Sequence, residues 1–107
     1  MRTEYDQERL LFARDYLIQH LHLPPSLPEL ARIAGLNEFK LKNGFKELFG
    51  QPVFAYLAEY RLQEAQAQLL EGRKTASELA FELGYSSLQH FSTAFKKKFG
   101  VSPRELR

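Results

Sequence analysis

The chain has 107 residues, 44% of them hydrophobic, with 15 basic against 13 acidic side chains and a net charge of +2. This composition supports one compact domain, or two very small ones, with a genuine core, and it is too apolar for a disordered chain. The absence of cysteine excludes a disulfide scaffold and a thiolate metal site and suits a reducing cytosol. No apolar run is long enough to cross a membrane, and the opening MRTEYDQERLL is too polar and acidic for a signal peptide.

Residues Gln7 to Leu21 place Leu10, Leu11, Arg14, Leu17, Ile18 and Leu21 at helical spacing, which predicts a first helix ended by Pro24-Pro25. Ser26 and Glu29 then have capping-box spacing, with Pro28 in the first turn, and a short helix is expected to about Ala34, where Gly35 suits a turn. Asn37 reads as the N-cap of a helix that runs to Phe49 and stops at Gly50. Pro52 precedes a stretch without Gly or Pro, Val53 to Leu70, which is expected to form a long helix of roughly 27 Å. Its stripe is Val53, Leu57, Ala65 and Leu69, widened by Phe54, Tyr56, Leu62 and Leu70, and Gly72 stops it. Thr75 with Glu78 and Ser86 with Gln89 have capping-box spacing for two further helices, the second ending at Phe99-Gly100. Ser102-Pro103-Arg104-Glu105 starts one more. No strand signal is present, because Asn43-Gly44 sits inside a helical pattern. The expected fold class is all-α, with about seven helices.

The segments on either side of the long helix repeat one another. Glu29-Leu30-Ala31 and Gly35 match Glu78-Leu79-Ala80 and Gly84 at an offset of 49, whereas Phe45-Lys46 and Phe49-Gly50 match Phe95-Lys96 and Phe99-Gly100 at an offset of 50. The second copy has therefore gained one residue in its central turn. Each copy is a short helix, a tight glycine turn and a longer helix, the grammar of a helix-turn-helix. Ala31, Gly35 and Leu41 supply the close approach, turn and anchor of the first copy, and Ala80, Gly84 and Phe91 those of the second. The expected organisation is an N-terminal helix plus first subdomain over 1–52, a connecting helix over 53–70, and a second subdomain over 71–107.

The second helix of each copy divides by face. Leu41, Phe45, Leu48 and Phe49 form an apolar side, and Phe39, Lys42, Asn43 and Lys46 an outer side. At the offset of 50 the outer residues become Gln89, Ser92, Thr93 and Lys96. Asn and Gln can pair with adenine, Lys with guanine, and a terminal Lys with phosphate. The runs containing Lys40, Lys42 and Lys46, and Lys96-Lys97-Lys98, are either solvated faces or phosphate contacts. Two matched faces with matched glycines and caps favour double-stranded DNA as the partner. A helical protein-interaction module that docks on RNA polymerase is the competing class. No nucleophile-base pair, phosphate loop or zinc spacing is present, so neither an enzyme nor a cofactor or metal is expected. His20 and His22 read as surface histidines, Tyr56 and Tyr60 as packing residues, and Arg61 as a structural brace between the subdomains.

Glu78-Leu79-Ala80, Gly84-Tyr85-Ser86-Ser87, Phe91-Ser92, Ala94-Phe95-Lys96, Phe99-Gly100 and Ser102-Pro103, with Arg61-Leu62-Gln63-Glu64-Ala65 in the spacer, resemble the DNA-binding domain of the AraC/XylS family of bacterial transcription regulators. The resemblance extends from about Asp6 to Arg107. Gly44-Phe45-Lys46, Leu48-Phe49-Gly50 and Val53-Phe54 also resemble the branch that responds to iron-siderophore complexes. The resemblance implies two helix-turn-helix subdomains joined by the central helix, each presenting one recognition helix. Its DNA-binding positions fall on Asn37, Phe39, Lys42, Asn43 and Lys46 in the first copy. In the second they fall on Ser87, Gln89, His90, Ser92 and Thr93, with Lys96 and Lys97 toward phosphates. Phe39 departs from a polar readout face and either touches a thymine methyl or folds back into the core. Leu88 stands where the family often has a polar residue. The implied setting is the bacterial cytoplasm and nucleoid, with RNA polymerase a partner. The chain is expected to be the C-terminal piece of a regulator with a ligand-sensing N-terminal domain. The bipartite DNA site is expected to be asymmetric, read by one monomer in successive major grooves.

Overall fold

The computed structural model describes residues 3–106. They form six α-helices and a closing 3-10 turn, with no strand among the described residues. The first helix, α1 (Glu4–Gln19), starts earlier than its apolar stripe indicates. Thr3 caps it: the Thr3 hydroxyl accepts from the Asp6 backbone N–H at 3.0 Å, and the Asp6 carboxylate accepts from the Thr3 N–H. The buried face of α1 is Asp6, Leu10, Ala13 and Leu17. Leu11, expected in the stripe, is exposed, because it lies about 100° around the helix from Leu10.

Two compact units can be distinguished. The first ends its opening stretch at His20 and takes up again over Pro24–Ala58. It holds α1, α2 (Leu27–Ala34), α3 (Glu38–Phe49) and the start of α4 (Val53–Glu71). Ser26 and Glu29 form the predicted capping box, and Asn37 caps α3 by accepting from the Lys40 N–H at 2.7 Å. Leu10, Leu17, Leu30, Leu41, Phe45 and Val53 make the core, with Phe49 and Tyr56 packed on its edge. Gly44 lies buried in mid-helix, where a glycine weakens a helix. A Cβ there would stand 2.8 Å from Leu10 Cδ1, so the glycine allows α1 to pack closely on α3.

The second unit comprises Leu21–Leu23 and the chain from Glu59 onward. It contains the rest of α4, α5 (Ala76–Glu82), α6 (Leu88–Phe99) and the 3-10 turn Pro103–Leu106. Its core is Leu62, Ala65, Leu69, Leu79, Ala80, Leu83, Phe91 and Phe95. The helix α4 runs one residue past its predicted end, and Gly72 follows it in a left-handed conformation. Val53, Leu57, Leu62, Ala65 and Leu69 are buried along α4, but Phe54 and Leu70, read as part of the stripe, are exposed.

Arg61 donates from Nη2 to the Leu21 carbonyl at 2.7 Å and stacks its guanidinium 5.7 Å from the Tyr85 ring centre. Arg61 thus ties the Leu21–Leu23 segment, which belongs to the second unit, to Tyr85 of the same unit. Burial lowers its pKa from the usual arginine value, and burial pushes the Tyr85 hydroxyl up to about 12. His20 stacks on Tyr16, and His22 sets its Nδ1 2.7 Å from the Phe81 carbonyl. Among the described residues no helix is long and apolar enough to cross a membrane.

Candidate nucleic-acid interface

In each unit the short helix leads into the long one through the same backbone turn. The Leu36 N–H donates to the Ala31 carbonyl and the Tyr85 N–H to the Ala80 carbonyl, both at 2.9 Å and at an offset of 49. The next helices are capped by Asn37 and Ser87, at an offset of 50. The residue gained by the second copy is therefore Ser86. This corrects the predicted cap: Ser87, not Ser86, accepts from the His90 N–H at 3.0 Å, and no Gln89 capping box forms. The Ser86 hydroxyl instead lies 3.2 Å from His90 Nδ1. Adjacent serines both fit the capping preference, so sequence alone could not choose between them.

On α3, Leu41 and Phe45 face the core while Phe39, Lys42, Asn43 and Lys46 are solvent-exposed. Phe39 is 75% exposed, which excludes its folding back into the core. Asn43 donates from its amide to the Phe39 carbonyl at 2.9 Å. Lys40 pairs with the buried Asp6 carboxylate at 3.5 Å. It therefore serves the α1–α3 packing, and Lys42 and Lys46 are left as the outward cations of that cluster.

On α6, Phe91 and Phe95 are fully buried, and Gln89, His90, Thr93, Lys96 and Lys97 are exposed. Ser92 is half-buried, so its hydroxyl sits at the edge of the face. Lys98 is drawn to Glu59 of α4 at 2.7 Å, and its hydrogen bond holds the Glu59 carboxyl below the usual carboxylate range. Tyr85 packs on Phe91 with ring centres 5.0 Å apart and meets the His90 ring edge-on at 5.5 Å. The start of α6 is thus seated on the Arg61–Tyr85 contact. The pairings of Lys40 and Lys98 and the seat made by Tyr85 left no mark in sequence spacing. The Thr3–Asp6 cap was legible in principle, with Asp in place of Glu.

Both units thus present a capped helix with its apolar side buried and a polar, lysine-ended side outward, the arrangement of a double helix-turn-helix DNA-binding domain. The chain belongs to the AraC-type helix-turn-helix family of transcription regulators: a family model described as "Helix-turn-helix domain" matches residues 30–107. It is similar to the regulatory protein PchR of Pseudomonas aeruginosa, 50% identical over 64 residues that cover 60% of this chain and 22% of that protein. It is also similar to the transcriptional activator RhaS of Yersinia pestis, 35% identical over 103 residues, covering 95% of this chain and 38% of that one. The chain thus spans well under half the length of these curated relatives. Among solved structures, a transcriptional regulator of the AraC-type DNA-binding kind from Chromobacterium violaceum superposes with a TM-score of 0.84 at 29% identity, covering 94% of this chain and 90% of that one.

Proposed function

We propose that this domain binds an asymmetric, two-part site on double-stranded DNA as a single monomer. The helices α3 and α6 each enter a major groove, in succession along the duplex. Phe39, Lys42 and Asn43 face the bases of one half-site, and Gln89, His90, Ser92 and Thr93 those of the other. Lys46, Lys96 and Lys97 lie toward phosphates, and Asn37 and Ser87, as caps, hold the helix starts against the backbone. What supports the reading is the paired geometry: each long helix buries its aromatic side and exposes its polar side at matching positions. The two outer faces differ in every residue except the lysines at 46 and 96, so the half-sites differ in sequence. Such a site lacks the palindrome that a two-fold dimer requires.

The domain acts in the bacterial cytoplasm on the nucleoid, next to RNA polymerase and joined to a ligand-sensing N-terminal domain. Residues 44–54 support placing the regulator in the siderophore-responsive branch. The test is selection of binding sites from a random-sequence pool at defined salt. Lys42→Ala should relax specificity in one half-site and Gln89→Ala in the other, each by about 1–3 kcal/mol. Loss from both substitutions at the same base positions would contradict separate half-sites, and no enriched sequence at all would favour a protein-docking module instead.

A further inference from the structure

The geometry points to Phe39 as a reader of the thymine methyl group in the first half-site, an inference that rests on the DNA-binding reading above. Phe39 is 75% exposed on a helix whose other apolar side chains are buried or half-buried. It stands in the row formed by Phe39, Lys42, Asn43 and Lys46, spaced to share one face. Asn43, the residue of that row best suited to adenine, has its amide nitrogen on the Phe39 carbonyl. The amide nitrogen of Asn43 is thus engaged by backbone next to the exposed Phe39 side chain.

Against most base edges in a major groove a phenyl ring would leave donors and acceptors unpaired. The thymine 5-methyl is the one apolar group those edges present. Lys42 and Lys46 continue the same row toward the end of the helix, and the ring at its start separates thymine from cytosine by covering that methyl. At the matching position of α6 the chain has Gln89, which reads by hydrogen bonds. The two recognition helices thus use different chemistry at equivalent places.

The test uses the site selected by the parent domain, with the first half-site defined as the bases at which Lys42→Ala relaxes specificity. Each thymine there is replaced in turn by deoxyuridine, which removes only the methyl. The expected result is one position at which the parent loses affinity by about fourfold, the ratio given by ~0.8 kcal/mol for one buried carbon group. Phe39→Ala should bind the thymine and deoxyuridine sites equally and melt like the parent, because the ring is exposed. The inference is overturned if the first half-site has no thymine on either strand, if no deoxyuridine substitution changes parent binding, if Phe39→Ala still discriminates, or if that variant melts lower. Failure of the underlying reading looks different: no sequence is enriched, or Lys42→Ala and Lys46→Ala leave binding unchanged.

Discussion

Gly84 shows how a single residue can be fixed by two constraints at once. Its φ of +89° lies in the left-handed region, where a Cβ costs about 1–2 kcal/mol. A Cβ there would also overlap the Leu21 carbonyl oxygen and crowd the Arg61 guanidinium and the His22 carbonyl. Gly100 has a similar φ of +81° with open space around it. Gly100→Ala should therefore lower stability by about 1–2 kcal/mol, whereas Gly84→Ala should exceed that, because Leu21 must move and the Arg61 hydrogen bond is strained. Urea midpoints at an unchanged m-value check this. Equal midpoints for the two variants would mean that the Leu21–Leu23 segment yields without cost. The need for a glycine turn was legible from the repeat. Its crowding was not, since Leu21 and Arg61 are distant in sequence.

At the level of the helices, the sequence was most informative about what repeats every three or four residues. The buried faces of α3 and α6 and the caps at Ser26, Asn37 and Thr75 follow from local spacing and the chemistry of orphan N–H groups. The lysines were harder, because a charge run carries no sign of its partner. Lys40 and Lys98 turned out to be held by Asp6 and Glu59, residues of other helices. Lys46 and Lys96 occupy equivalent exposed positions near the helix ends. Lys46→Ala and Lys96→Ala should each weaken binding to all sequences alike and lower the salt slope by about one unit. A loss confined to one base position would show that these lysines read bases. Lys98→Ala, whose ammonium is engaged by Glu59, should change the slope less than Lys96→Ala.

For the whole chain, the expectation of a duplicated module is met by two cores, each centred on a recognition-helix phenylalanine. Phe45 packs 4.5 Å from Phe49 and 5.5 Å from Tyr56, and Phe95 packs 4.6 Å from Phe99 and 5.7 Å from Phe91. Phe45→Ala and Phe95→Ala should each cost about 3–5 kcal/mol, a large share of the stability of a small domain. Thermal melting followed by circular dichroism measures this, and either variant melting like the parent would contradict its full burial.

Because the caps Asn37 and Ser87, the buried pairs Leu41/Phe45 and Phe91/Phe95, and the glycines Gly50 and Gly100 all keep one register of fifty residues, the outer faces are interchangeable parts. Transplanting Gln, Ser and Thr onto positions 39, 42 and 43 changes only exposed side chains of α3. The triple variant Phe39→Gln, Lys42→Ser, Asn43→Thr should keep the parent's melting temperature. In binding-site selection its first half-site should drift toward the sequence of the second. What each copy reads could in this way be exchanged without either core being rebuilt.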